Sequence, residues 1–297
     1  MNSLLTLEFS VITVNAQGQI TQQTQGHNQA LRLALPESVE LTLLAIPSGQ
    51  FLMGSPADEE GFKRSQGPQQ TVNLAAFWIS QTPITQAQWE AVTLLPKVNL
   101  SLDPYPANFV GDHLPVEQIS WDEAREFGDR LSRFTQQTYR LPREAEWEYA
   151  CRAGTLTPFH FGPTLTTDLA NYSGVDWEYQ GKICNRGAYG QGPTGEDRRQ
   201  TIPVGTLGGA NAWGLQDCHG NVREWCADAW SSHYLDRPLD NAPPSTEETT
   251  QRVVRGGSWN TGPQKCRSAY RDRLDPQARR YDVGFRIVLE DSQKALK

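Results

Sequence analysis

The chain has 297 residues, of which 37% are hydrophobic and 21% charged, with 34 acidic against 27 basic side chains and a formal charge of -7. This composition can bury a sizeable core and is too apolar for an intrinsically disordered chain, while the negative charge argues against non-specific nucleic-acid binding. No apolar run is long enough for a membrane span, and Leu4 to Val14, interrupted by Glu8 and Ser10, lacks the pattern of an export leader, so a cytoplasmic protein is expected.

The first strands are expected from Leu4 to Val14 and from Ile20 to about Leu35, around the turn Asn15-Ala16-Gln17-Gly18. Residues 1–38 thus read as a hairpin or extension, ahead of one domain over residues 39–290 and a tail, 291–297. Val39 to Ile46 and Phe51-Leu52-Met53 read as strands divided by Pro47-Ser48-Gly49, and polar Asp58 to Gln70 reads as loop. Three helices follow. Thr85 and Gln88 form a capping-box pattern for a helix through Trp89 to about Leu94. Ser120 and Glu123 do the same for a helix whose apolar face is Trp121, Ala124, Phe127, Leu131 and Phe134. A third opens at Leu141-Pro142, turns Trp147 and Ala150 inward and stops at Gly154.

Beyond Gly154 the periodicity disappears, leaving short strand candidates such as Arg252 to Arg255 and Gly284 to Leu289. So long an irregular region needs other support, and Trp213, Trp225, Trp230 and Trp259 are available to provide it. The five cysteines, Cys151, Cys184, Cys218, Cys226 and Cys266, show no CxxC spacing and read as reduced thiols.

Arg255 to Arg286 alternates a fixed-looking frame with freely chosen residues. The frame is Arg255-Gly256-Gly257-Ser258-Trp259, Cys266-Arg267-Ser268-Ala269, Arg271, Pro276, Arg279 and Gly284-Phe285-Arg286. Between these lie Asn260, Thr261, Gly262, Gln264, Lys265, Tyr270, Asp272, Arg273, Leu274, Asp275, Gln277, Ala278, Arg280, Tyr281 and Asp282. They share no polarity, size or conformational preference, which suits a recognition surface carried on an independent scaffold better than a core. The stretch from Arg252 to Arg286 is also locally basic, as a site for an acidic ligand would be.

An ordered set of motifs runs through the chain: Phe51-Leu52-Met53-Gly54-Ser55, Pro83 to Trp89, Pro115 to Trp121, Tyr139 to Ala150, Ala170-Asn171-Tyr172, Gly214 to Asp217, Gly220 to Trp225 and Arg255 to Ser258. On these residues, about 40 to 290 resemble the formylglycine-generating enzyme family, also called the sulfatase-modifying-factor fold. The resemblance implies an α+β domain of C-type lectin-like fold with few helices and much irregular structure. It also implies where chemistry would lie. Catalytic members oxidise a substrate cysteine with copper(I) held by two thiolates, and the two ligand positions correspond to Thr261 and Cys266. A hydroxyl in place of one thiolate is a poor ligand for copper(I), so no catalytic residue and no copper are expected. The three-histidine iron motif of the sulfoxide synthases is not matched by His27, His113, His160, His219 and His233.

A further branch of the family comprises variable proteins of diversity-generating retroelements, in which asparagine codons near the C-terminal end are altered at their adenines. Such changes from an AAC codon give the types found at Thr261, Gly262, Asp272, Arg273, Leu274, Asp275, Ala278, Arg280, Tyr281 and Asp282, whereas Gln264, Lys265 and Gln277 need other template codons. The resemblance further implies structural calcium at Asp217, Gly220, Val222 and Glu224, and at Asn171, Tyr172 and Asp197, where carboxylates and carbonyls suit a hard cation. The expected function is non-catalytic binding of a protein or peptide through a diversified C-terminal surface. The alternatives are a copper oxidase or accessory enzyme acting on protein cysteine, or a regulatory domain partnering a kinase or protease.

Overall fold

A computed structural model describes residues 3–234 and 251–290; the expected tail, 291–297, lies outside them. β1 (Ser3–Val14) and β2 (Ile20–Ala34) form the expected antiparallel hairpin. Its turn is fixed by Asn15, whose side-chain oxygen accepts from the backbone of Gln17 and Gln19, and by Gly18 at φ 78°. The hairpin extends the main sheet, because Ala30 to Ala34 of β2 pair on the other edge with β3 (Glu40–Ile46).

The chain continues through β4 (Gly49–Met53), β5 (Gln70–Leu74) and β6 (Phe77–Ser80) to helices α1 (Gln86–Thr93) and α2 (Trp121–Thr135). Then come β7 (Tyr139–Arg140), α3 (Glu144–Arg152), β8 (Trp177–Tyr179), β9 (Lys182–Asn185) and β10 (Arg223–Ala229). β11 (Arg252–Arg255), β12 (Arg271–Leu274), β13 (Val283–Phe285) and β14 (Val288–Glu290) complete the described elements. One sheet has six strands in the order β1-β2-β3-β6-β14-β7 and another has four in the order β12-β11-β10-β13; β4-β5 and β8-β9 are two-stranded.

The capping boxes at Thr85 and Ser120 form as expected, each hydroxyl accepting from the backbone three residues on while Gln88 or Glu123 reaches back. α1 and α2 close one core, in which Trp89, Phe127 and Phe285 meet ring to ring at 5.1 to 6.1 Å. Phe134 departs from the expected face: α2 buries nothing beyond Leu131, and this ring in its last turn is exposed. Pro142 also departs, lying before α3 rather than in its first turn. Its carbonyl accepts from Ala227 of β10, which ties it to a strand instead of a helix.

The stretch Gly284 to Leu289 is divided between two sheets. β13 runs parallel to β10 in one and β14 lies between β6 and β7 in the other, with Arg286 and Ile287 crossing from sheet to sheet.

Candidate functional site

α3 carries Glu144, Glu146 and Glu148, and every residue of the helix is buried. Buried carboxylates require paired cations: Arg140 holds Glu146 and Arg152 holds Glu148, and the C-terminal frame supplies others. Arg271 grips Glu144 through Nε and Nη2 at 2.5 and 2.9 Å. Arg255 bridges Glu144 and Glu148 at 3.2 and 2.5 Å and donates to the Ser268 carbonyl. Arg267 reaches Glu59, Gln66 and the Gly61 carbonyl. Arg286 holds Glu224 at 3.0 Å and donates to the carbonyls of Ser80, Gln81 and Gln216. All four arginines are buried. These four residues of the basic stretch are neutralised inside the fold and offer no surface to an acidic ligand, whereas Lys265, Arg273, Arg279 and Arg280 are exposed.

The frame glycines bring together Thr261 and Cys266, the two positions that the resemblance aligns with copper ligands. Gly256 and Gly257 take φ 93° and 69°, and a Cβ on Gly257 would lie 2.5 Å from the Cys266 Sγ. Thr261 Oγ1 sits 3.8 Å from that sulfur, accepts from the Ser258 N–H at 2.9 Å and donates to the Ser258 carbonyl at 3.1 Å. Burial pushes the Cys266 thiol up to about 12, against the pull of the Thr261 hydroxyl. With a hydroxyl at the first position, Cys266 is the one soft donor of the pair, which does not fit a copper(I) ion held by two thiolates.

Next to this pair is a cleft of about 760 Å³, lined by Trp259, Asn260, Thr261 and Lys265 and by Trp177 and Cys184 of the β8-β9 hairpin. Trp259 meets the edge of Phe109 at 5.4 Å, lies 5.5 Å from the Tyr281 ring and donates Nε1 to the Tyr281 carbonyl. On the hairpin, Trp177 and Tyr179 stack at 6.1 Å and both are exposed. Sequence reasoning missed this hairpin. Its signal was the alternation Trp177, Tyr179 before a Gln180-Gly181 turn, both of whose residues take positive φ.

The fifteen freely chosen positions do not form one surface. Asn260, Thr261 and Lys265 line the cleft, with Gln264 beside them donating to the Ala188 carbonyl. Arg273 is exposed on β12, over the Trp230 ring, with Asp272 and Leu274 half-buried either side. Asp275, Gln277 and the half-buried Ala278 form a turn at the start of α2, where Pro276 accepts from Trp121, and exposed Arg280 and Tyr281 follow. Three positions belong to the frame after all. Asp282 is buried, held by Arg223 at 2.9 and 3.0 Å and by the Ser258 hydroxyl. Tyr270 is buried under Lys63. Gly262 is buried where any Cβ would meet the Asn185 side chain at 2.3 Å and the Arg186 carbonyl at 2.8 Å.

The expected calcium residues divide as well. Around Asp217, Gly220, Val222 and Glu224, both Glu224 oxygens are engaged by Arg286 and by Trp147 Nε1, and Asp217 accepts from the Gly205 N–H. Arg286 supplies the positive charge there, so this donor set does not fit a calcium ion held through Glu224. The Asn171 set fits better. Asn171 is buried, its amide donates to Gln200 and Asn221, and its Oδ1 has no partner among the described residues. Thr201 Oγ1 is in the same position. A buried orphan oxygen is what a hard cation would satisfy. The Tyr172 hydroxyl is engaged by Leu165, leaving its backbone carbonyl, and Asp197 accepts from Arg199. Among the described residues no three His, Cys, Asp or Glu side chains cluster as a metal site.

Residues 33–291 match the model of the Sulfatase-modifying factor enzyme 1-like domain. The chain is 28% identical to the formylglycine-generating enzyme of Thermomonospora curvata, across 86% of this chain and 95% of that enzyme. Among solved structures it is similar to PvdO from Pseudomonas aeruginosa, with a TM-score of 0.69 and 28% identity over 84% of this chain and 94% of the other. It shares its fold with Treponema denticola variable protein 1, at a TM-score of 0.66 and 24% identity over 87% and 98% of the two chains. The α+β C-type lectin-like fold expected from the motifs is the fold observed, and this chain belongs to the Sulfatase-modifying factor enzyme 1-like domain family.

Proposed function

We propose that the protein is a non-catalytic ligand-binding member of this family, and that the cleft beside Thr261 takes a protein or peptide segment. The observation that carries this reading is the Thr261–Cys266 pair: the two positions meet in space, yet one is a hydroxyl where a second thiolate would be needed. The cleft carries an aromatic rim of Trp177 and Trp259, and Trp, Tyr and Arg are the side chains that dominate binding hot spots. Diversification of the exposed positions around it, as in retroelement variable proteins, is supported by their chemical variety on a buried frame and by the fold shared with a protein described as variable. All five cysteines are free, which suits a reducing, cytoplasmic setting.

Two experiments test the reading. Incubated with copper(I), oxygen and a cysteine-containing peptide, the protein should yield no formylglycine by mass spectrometry; multiple turnovers would overturn it. A displayed peptide library panned on the protein should return binders that Trp259→Ala, itself folded, no longer captures. A structural calcium at Asn171 is part of the same proposal, and a chelator should then lower the melting temperature by removing a ligand of the folded state. An unchanged melting curve and no calcium by elemental analysis would remove it.

A further inference from the structure

The segment from 103 to 114 has no regular structure, yet it carries Phe109, the ring that meets Trp259 at the cleft. A single carboxyl holds its middle. Glu117 Oε1 accepts the backbone N–H groups of Asn108 and Phe109 at 2.6 and 2.8 Å, while Gln86 holds the Phe109 carbonyl and the Gly111 N–H from another side. Glu117 is fully buried, and its Oε2 has no partner among the described residues. No ion pair reaches it among those residues, and the charge acting on it, Asp282, has the same sign. Asp282 is gripped by Arg223 of β10, which also pairs with Asp272 of β12. Arg280, whose carbonyl accepts from Gln118, is also charged, and the segment itself carries Asp103, Asp112 and His113, all four with exposed side chains.

We propose that Glu117 is a proton-controlled latch: neutral, it stays buried and holds the 103–114 segment; ionised, it draws in water and releases that segment, removing Phe109 from behind Trp259. Burial pushes this carboxyl up to about 7 against the pull of its two N–H donors, and Asp282 adds to the push. The sign follows from linkage. A carboxyl that binds its proton more tightly when latched than when hydrated favours release as the pH rises through that value. An effect on ligand capture rests on the binding reading of the cleft, whereas the latch itself does not.

Amide hydrogen exchange on the whole protein, read by peptide mass spectrometry with times scaled for intrinsic chemistry, tests the latch without a ligand. Between about pH 6 and about pH 8, peptides covering 103–114 should lose protection about tenfold, the change in ionisation across that window. Peptides from α3 should not. Glu117→Gln, whose neutral amide oxygen can accept the same two N–H groups, should hold 103–114 equally at both pH values. Equal protection of 103–114 in the unaltered protein overturns the proposal, as does a pH response that survives in Glu117→Gln. If the latch opens as expected while Trp259→Ala leaves peptide capture intact, the cleft reading fails and the latch stands.

Discussion

In α1 and α2 apolar burial follows helical periodicity: Phe127 and Leu131 stand one turn apart on the second of these capped helices, and the Phe127 ring meets that of Trp89 from the first. Residues 251–290 bury four more arginines, Arg255, Arg267, Arg271 and Arg286, each paired with a carboxylate brought from far away in sequence. The first region packs by volume and tolerates hydrophobic exchange; the second is fixed by direction, since the planar fork of a guanidinium meets its carboxylate in few arrangements. A frame of that kind does not depend on what its loops carry. Asn260, Lys265, Arg273 and Arg280 are exposed and lie outside that buried frame.

The sharpest way to break this contrast is Arg286→Met, which strands Glu224 and three carbonyls at the crossing between the two sheets. It should cost about 5 kcal/mol or more by denaturant unfolding. Burial already pushes the Glu224 carboxyl up to about 7 against the pull of Arg286. Without that partner it rises further, so the deficit should narrow as the pH falls from about 8 to about 5. An equal deficit at both values would mean that Glu224 is not the stranded group. Phe127→Ala in the helical region should cost roughly 3 to 5 kcal/mol by the loss of ring contacts and the cavity left behind. Its deficit should not depend on pH, and a pH-dependent one would blur the distinction between the two regions.

Gly262→Ala tests the boundary of the frame. Although this glycine sits among chemically free positions, a methyl would collide with Asn185 and with the Arg186 carbonyl, and overpacking of this kind costs about 1 to 3 kcal/mol. A variant as stable as the parent would return the position to the free set.

How much of this was legible in the sequence depended on distance along the chain. The caps at Thr85 and Ser120 reach three residues and the Asn15 turn reaches four, and all were readable. Arg255 finds Glu144 across 111 residues, and nothing local marks it as buried, so its charge looked like surface. Asp282 and Tyr270 failed in the same way, appearing variable because their partners Arg223 and Lys63 are remote. The meeting of Thr261 and Cys266 was legible only through family resemblance. Glu117 lies within the motif Pro115 to Trp121, but its burial and its orphan oxygen depend on how the 103–114 segment folds back over it.

The smallest expected effect on stability is the most informative about function. Lys265 and Arg273 are both exposed and both among the freely chosen positions, but only Lys265 lines the cleft. Truncating either to alanine should shift stability by no more than about 0.5 kcal/mol, as is usual for surface positions away from special features. Binding should separate them. If the cleft is where a peptide lodges, Lys265→Ala weakens capture of selected peptides while Arg273→Ala, on a strand face away from the cleft lining, leaves it nearly unchanged. Equal losses would mean that recognition extends over β12 as well, and the reverse order would move the binding surface from the cleft to the Arg273 face beside Trp230.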